Sequence, residues 1–191
     1  MTKTKKICLC GAALLMVLIA VTVSIFAKLY EEKSYWQERA AGVNYSGWDH
    51  IYFMTTQVEK IGFTKQAVEE MHLYINGILF TSEPDLQPRF GGPVTAGFLQ
   101  HYYAGLALDI ASGQLDDEQL QRAVQLFKDA TLDLKELSRA ILDLAEDRDE
   151  RVQLLDEDSA LYRQVQEMIL NYSEEYDERF RTFYSYLNAE S

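Results

Sequence analysis

The sequence predicts an all-α protein in which an N-terminal single transmembrane helix is followed by an antiparallel four-helix bundle. Three observations lead to this fold class. Residues 7–27 are 21 consecutive uncharged positions, apolar residues further along the chain recur at helical spacing, and helix-breaking residues are few and clustered. The chain of 191 residues has 10 Gly and 3 Pro, and it contains neither beyond Gly113.

Residues 7–27 form the most apolar segment of the chain. At 1.5 Å per residue such a helix spans roughly 31 Å, which matches the ~30 Å hydrocarbon core of a bilayer. The alternative is a cleaved secretory signal, whose apolar core normally has about 7 to 15 residues and ends in small residues. The sequence Ile25-Phe26-Ala27 is bulky where a small residue is preferred. We therefore predict an uncleaved membrane anchor.

Basic residues on either side of this segment predict its orientation. Lys3, Lys5 and Lys6 precede it, whereas the two lysines that follow it are interleaved with acidic residues. The positive-inside bias therefore predicts a cytoplasmic tail at residues 1–6 and a single-pass protein of the cell membrane. Residues 28–191, the bulk of the chain, are expected to lie outside the cytoplasm.

The arrangement of helix breakers divides the extracytoplasmic part. Glycines between positions 42 and 47 separate a juxtamembrane helical stalk, residues 28–47, from the bundle, residues 48–191. In the bundle we predict helices at about 48–80, 93–112, 117–147 and 158–188. The first of these bends at Gly62, and the second ends at Gly113 as its C-cap.

The last two predicted helices share one heptad pattern. Apolar residues recur at alternating intervals of three and four over residues 120–144, and the pattern resumes over residues 162–186. Asp116 and Gln119 match a capping box at the start of the first helix. Between residues 148 and 158 the seam becomes charged, which makes its burial costly. This favours a helical hairpin over the alternative, a single rod of more than about 100 Å.

Charge is distributed unevenly along the chain. There are 18 Lys and Arg against 30 Asp and Glu, a formal net charge of −12, and residues 28–191 hold 15 of the basic and all 30 of the acidic side chains. Such a surface repels phosphate backbones, which excludes nucleic acid as the expected partner. We expect contact with the lipid bilayer through residues 7–27 and a protein partner for the bundle. Self-association into a homo-oligomer through the heptad seam stays open.

Residues 81–93 form the longest segment that is predicted to lack helical structure. Loops of this length often carry binding functions. Arg89 and Phe90 place a cation and an aromatic ring on the segment. Either they contact a partner, or the segment crosses the end of the bundle with Phe90 packed as a lid.

The second bundle helix carries a row of small and polar residues, Gly97, His101, Gly105 and Asp109. In a functional interpretation the row is a cleft in which His101 and Asp109 bind a ligand. We favour close packing of a neighbouring helix over the glycines, because buried polar groups usually have protein partners. Tyrosines at seam positions 162, 172, 176 and 186 are interpreted as core-edge residues with hydrated hydroxyl groups.

A metal site is the least favoured interpretation of the sequence. Glu69 and His72 have the Glu-x-x-His spacing of di-iron bundles, which use it twice together with two further Glu residues. It occurs once here, so we interpret His72 as an ordinary histidine and predict no cofactor. The sequence also has no nucleophile elbow, no phosphate-binding glycine loop and no Cys/His metal set.

These features together favour a non-catalytic membrane protein that presents an acidic helical bundle for protein interaction or assembly. The alternative is a ligand-sensing bundle that signals through a partner, since the layout of tail, membrane helix and extracytoplasmic bundle is similar to bacterial sensor modules. A metal-binding bundle is the third hypothesis.

Overall fold

A computed structural model describes residues 3–86 and 102–189, with side chains described at 15–79 and 102–189. Within these ranges every regular element is a helix, which confirms the predicted all-α class and the multi-helix bundle. The helices are α1 Lys3–Ile61, α2 Lys65–Leu86, α3 Gly105–Ser112, α4 Asp117–Asp143, α5 Arg148–Gln153 and α6 Ala160–Ala189. The chain divides into two compact units, Met1–Ala40 and Ala41–Ser191.

The first helix runs through the glycines that were predicted to interrupt it. α1 is continuous over residues 42–47, although each glycine in a helix costs about 1 kcal/mol relative to alanine. Tertiary packing offsets this cost, because Ala41 and Trp48 on the same helix are buried. The bundle unit therefore begins at Ala41 and not at residue 48.

The apolar segment at residues 7–27 belongs to α1. Among the helices in the part of the chain that the structure describes, none carries a stretch that is both long and apolar enough to cross a membrane. Residues 7–14, the first third of the segment, lie outside the described side chains.

The predicted helix at 48–80 is two helices, separated at Gly62. This glycine has a φ of 103°, which a residue with a side chain rarely adopts, so α1 ends and does not merely bend. Thr64 caps the next helix, because its hydroxyl oxygen accepts a hydrogen bond of 3.2 Å from the amide of Ala67. The turn between α1 and α2 is thus set by a glycine and an N-cap.

The second helix extends further than the breaker pattern predicted. α2 passes through Pro84 to Leu86, so residues 81–86 of the predicted loop at 81–93 are helical. Proline lacks an amide hydrogen, so residue 84 donates no backbone hydrogen bond within this helix. Residues 87–101 lie outside the described residues.

The described part of the predicted helix at 93–112 is α3 with a π-helical turn before it at residues 102–104. Gly113 follows with a φ of 70° and forms the predicted left-handed C-cap. Leu106 and Ile110 are fully buried, but Leu108 is 52% exposed. Leu108 is exposed because α3 packs against α2 and α4 and leaves one side in solvent.

The helices α4 and α6 form an antiparallel hairpin. Three pairs of facing residues define their order: Arg122 with Tyr186, Asp129 with Arg179, and Asp133 with Tyr176. The predicted capping box opens α4, since the Asp116 side chain accepts from the Gln119 amide at 2.8 Å and the Gln119 side chain accepts from the Asp116 amide at 3.1 Å. The helix ends at Asp143, four residues earlier than predicted.

The connection between α4 and α6 contains the short helix α5, which the sequence pattern did not predict. A second capping box, formed by Asp147 and Glu150, starts it. Arg151 donates hydrogen bonds of 3.0 and 2.8 Å to the carbonyl oxygens of residues 145–146, at the end of α4. Its guanidinium carbon also lies 3.8 Å from the centre of the Tyr45 ring on α1. Arg151, a charged residue of the seam, therefore connects α5 with the segment that follows α4 and with α1.

One hydrophobic cluster holds the bundle unit together. Its largest fully buried side chains are Trp48, Ile51, Met54, Ile75, Tyr103, Leu106, Ile110, Phe127, Leu134, Tyr176 and Phe180. They come from α1, α2, α4, α6 and the region of α3. Each of these five helices therefore buries one apolar face, as the helical spacing predicted.

We expect Gly62→Ala to lower the free energy of unfolding by about 1–2 kcal/mol, because a Cβ disfavours the positive φ at this position. No other atom lies within 4 Å of the added carbon, so backbone strain is the only cost. Gly77→Ala is the matched control, since Gly77 lies within α2 with equally open surroundings. It should stabilise the protein by up to about 1 kcal/mol. Urea denaturation of the full chain, followed by circular dichroism, measures both; the same sign for both variants would contradict strain at Gly62.

Candidate functional site

Of the residues predicted to contact a partner or ligand, Asp109 lies in the described part of the chain, whereas Arg89, Phe90 and His101 lie outside it. Asp109 is half-buried on α3, and its carboxylate accepts a hydrogen bond of 2.8 Å from the Tyr184 hydroxyl on α6. The same hydroxyl oxygen lies 3.7 Å from where a Cβ on Gly105 would be. In the described half of the row of small and polar residues, Tyr184 therefore packs beside Gly105 and donates a hydrogen bond to Asp109.

The Glu-x-x-His pair is not directed toward a common ligand. Glu69 is exposed, and the Nδ1 atom of His72 lies 2.6 Å from the backbone carbonyl oxygen of Glu69, within the same helix. Among the side chains that the structure describes, no three from His, Cys, Asp and Glu are close enough together to hold a metal ion.

A groove runs between the first half of α4 and the second half of α6. It consists of two adjoining depressions of about 380 and 400 Å³ that share Arg122, Leu126 and Arg179. Leu126 and Phe183 form its apolar floor and are only 7% and 6% exposed. Two guanidinium groups thus lie beside an apolar surface, on a bundle that is otherwise strongly acidic.

Several contacts hold the Arg179 guanidinium at the edge of the groove. It donates to the Asp129 carboxylate, lies 3.7 Å from Glu175 and packs over the Tyr176 ring at 4.8 Å. The other oxygen of Asp129 accepts a hydrogen bond of 2.7 Å from Gln125. Burial lowers the pKa of Arg179, but the hydrogen bond to Asp129 and nearby negative charge outweigh burial and leave it above its ordinary value.

The Arg122 guanidinium is held in a similar way. It forms an ion pair of 2.6 Å with Glu118, one turn earlier on α4, and lies 4.2 Å from the centre of the Tyr186 ring on α6. Each arginine of the groove is therefore positioned by at least one carboxylate and by one tyrosine ring, which are interactions that guanidinium groups favour.

Buried tyrosines connect α4 with its neighbours beside the groove. The Tyr172 hydroxyl donates to the carbonyl oxygen of Ala130 at 3.0 Å, and the Tyr176 hydroxyl donates to the Asp133 carboxylate. The prediction of hydrated hydroxyl groups was therefore wrong for these two residues. Burial is the largest cause that raises the pKa of both hydroxyls.

The sequence reasoning did not identify either arginine of the groove. Arg179 occupies a seam position of the heptad pattern, and a cation at a position predicted to be buried was a signal for an ion pair with the facing helix. Arg122 gave no such signal, because a pair with Glu118 at a spacing of four residues is common on exposed helices.

Comparison with protein-family models, with curated proteins and with solved structures found no match to this chain.

We expect alkaline pH to destabilise the bundle through buried tyrosines. Burial raises the pKa of Tyr103 and Tyr172 above the ordinary value of 10.0, so above pH 10 the unfolded chain releases protons that the folded chain keeps. Their contribution to stability is complete below pH 10 and is lost as the pH rises above it. Tyr103→Phe should reduce the loss by up to about 1.4 kcal/mol per pH unit.

Urea denaturation of the full chain at a series of pH values tests this expectation. Tyr30→Phe is the matched control, because Tyr30 is 76% exposed and lies outside the bundle unit. It should leave the pH dependence of unfolding unchanged. An equal change in both variants would contradict the role of the buried hydroxyl.

Proposed function

We propose that this chain is a single-pass membrane protein in which residues 7–27 anchor an acidic helical bundle, and that the bundle binds a protein partner outside the cytoplasm. The observation that carries the proposal is the exposure of apolar side chains on every side of the N-terminal part of α1. Residues 15–19 are all apolar and each is 54–67% exposed. Successive helical residues are rotated by about 100°, so these five side chains surround the helix.

An apolar helix that is exposed on all sides fits a lipid environment. In water such a surface is unfavourable by about 25 cal/mol for each Å² of apolar area, and helices that are apolar all round are typical of protein cores or membrane spans. Residues 15–27 are all exposed in the structure. Hydrocarbon chains of a bilayer would provide the missing apolar surroundings.

The polar side chains of the segment also support the anchor. The hydroxyl groups of Thr22 and Ser24 donate hydrogen bonds of 2.8 Å to the carbonyl oxygens of Leu18 and Ala20. Inside a bilayer a hydroxyl donor has no water to bond, so a partner within its own helix removes most of the cost of burial.

The partner that fits the bundle is a protein with a basic surface. Residues 143–158, the connection between α4 and α6, contain eight acidic and two basic residues, and seven of the eight acidic residues are exposed. Complementary charge accelerates association and aligns two surfaces. This acidic connection is where we expect the basic surface to bind.

The anchor is tested by placing charge in the segment. We expect Leu18→Lys with Val21→Lys to move the full chain from the membrane pellet to the supernatant after an alkaline carbonate wash, because each lysine costs about 2.5–3.5 kcal/mol in the hydrocarbon core. Phe53→Lys is the matched control: Phe53 is a 55% exposed apolar residue on the same helix but in the bundle unit. This variant should stay in the pellet. Release of the unmodified chain by carbonate would contradict the anchor.

Cysteine labelling in intact cells tests the orientation of the chain. Cys8 and Cys10 are its only cysteines. In intact cells a membrane-impermeant maleimide should leave both unlabelled, whereas it should label a cysteine introduced at exposed position 149 after Cys8→Ser and Cys10→Ser. The opposite labelling pattern would mean that the bundle faces the cytoplasm.

The partner is tested with a photoreactive amino acid at position 149, in the acidic connection. We expect a discrete crosslinked adduct that weakens as salt is raised, because salt screens exposed charges, and that decreases with Glu157→Lys. Position 73 is the control, since Leu73 on α2 is 74% exposed and outside the acidic connection. An adduct of the same intensity at both positions, or one insensitive to salt, would exclude binding through this surface.

A further inference from the structure

We propose that two copies of this chain pair in parallel through one face of α1, within the N-terminal unit. This face, the α1 seam, has seven residues at alternating intervals of four and three: Met16, Ala20, Val23, Ala27, Tyr30, Ser34 and Gln37. The inference rests on the proposed membrane anchor, because anchoring through residues 7–27 gives every copy the same orientation and depth. It requires neither the acidic connection nor the groove between α4 and α6.

The charged residues that follow the apolar segment avoid the α1 seam. Six of the twelve residues 28–39 are charged, and none of the six lies at a seam position. In the heptad that the seam defines, seam residues occupy positions a and d, and the charged residues occupy positions b, e, f and g. An uncharged seam with charged flanks is the pattern of a two-stranded coiled coil.

The α1 seam is exposed in the single chain. Six of its seven residues are exposed, and Ser34 is half-buried. The seam of α4 and α6, through which self-association stayed open on sequence alone, is buried in the hydrophobic cluster of its own bundle. A second copy would therefore pair through α1 and leave the α4 and α6 hairpin intact.

The charges beside the α1 seam fit a second copy of the same chain. Lys33 lies at heptad position g and Glu38 at position e, five residues later. In a parallel coiled coil, position g of one helix faces the next position e of the other, so Lys33 of each copy faces Glu38 of the other. Two-fold symmetry forms this ion pair twice.

The two cations nearest the α1 seam differ in their surroundings. Within the described part of the chain, Lys33 forms no ion pair or hydrogen bond through its side chain. Arg39, on the outer side of the helix, donates a hydrogen bond of 3.4 Å to the Tyr35 hydroxyl and lies 5.9 Å from the centre of the Trp36 ring. The cation beside the seam is thus available to a second helix.

The membrane makes weak contacts of this kind sufficient. Anchored copies share one orientation and depth, which brings the two seams into register and raises their effective concentration. Within lipid, van der Waals packing between helices replaces the hydrophobic effect as the source of attraction. The acidic bundles oppose pairing, but exposed charges more than about 8 Å apart are largely screened at physiological salt.

Disulfide crosslinking in membranes tests the proposal, in a full chain whose two native cysteines are replaced by serine. Tyr30→Cys and Gln37→Cys place single thiols on the α1 seam, and Glu32→Cys and Arg39→Cys are matched controls at similar heights on the outer side. After oxidation with copper phenanthroline, we expect a product of twice the chain mass at 30 and 37. At 32 and 39 we expect at least about fivefold less, because a disulfide requires Cα atoms within about 7 Å.

Three outcomes of the crosslinking would overturn the proposal. They are no product at positions 30 and 37, equal yields at all four positions, and a product at the seam of a mass other than twice that of the chain. The last outcome would mean that another protein covers this face.

Charge reversal tests the predicted ion pair, with Gln37→Cys as the reporter of pairing. Lys33→Glu and Glu38→Lys should each lower the yield of the dimer by at least about threefold, because each places like charges opposite one another. The two changes together should restore the yield. Arg39→Glu is the matched control and should leave it unchanged. No loss in the single variants, or no recovery in the combined one, would overturn the pairing of Lys33 with Glu38.

A carbonate wash of the same membranes separates this proposal from the anchor on which it rests. The chain retained in the pellet but not crosslinked at the α1 seam would overturn the pairing and leave the anchor standing. The chain released into the supernatant would overturn the anchor, and with it the common orientation that the pairing requires.

Discussion

The packing of α4 against α6 is the interaction on which the rest of the bundle depends. Burial of the heptad seam brings Phe127 and Leu134 of α4 together with Ile169 and Phe180 of α6 in one apolar cluster. The acidic residues of the connection are not part of this cluster and keep their hydration, whereas Ala145 and Leu154 of the same segment belong to it. The chain therefore reverses at the point where the seam becomes charged, and the reversal aligns the two helices in antiparallel order.

The same packing positions the groove. Apolar seam residues of the two helices pack against one another. At the seam position that Arg179 occupies, the guanidinium group reaches the surface and pairs with Asp129. The buried tyrosine hydroxyls bond to α4 on the inner side, so few polar groups in this part of the seam lack a partner. The two arginines are thus fixed by the interactions that stabilise the hairpin.

The first helix meets two different physical requirements along its length. In the bundle unit it buries one face, with Trp48, Ile51 and Val58 inside and Phe53 outside. In the N-terminal unit the described apolar side chains are exposed on all sides. One-sided burial is the pattern of a helix that packs against a protein core, whereas all-round apolarity is the pattern of a helix in lipid. This contrast is the physical basis of the proposed anchor.

Features that depend on neighbouring residues were determined by the sequence itself: the helical class, the capping box at Asp116, the C-cap at Gly113 and the seam of α4 and α6. Each involves residues within one or two helical turns, so spacing is sufficient to predict it. The tertiary structure alone decided the continuity of α1 through its glycines, the partner of each tyrosine hydroxyl and the groove beside Arg122 and Arg179. These features depend on which distant residues become neighbours, as with Asp129 and Arg179, which are 50 positions apart. Side-chain packing in three dimensions, and not local propensity, sets those pairs.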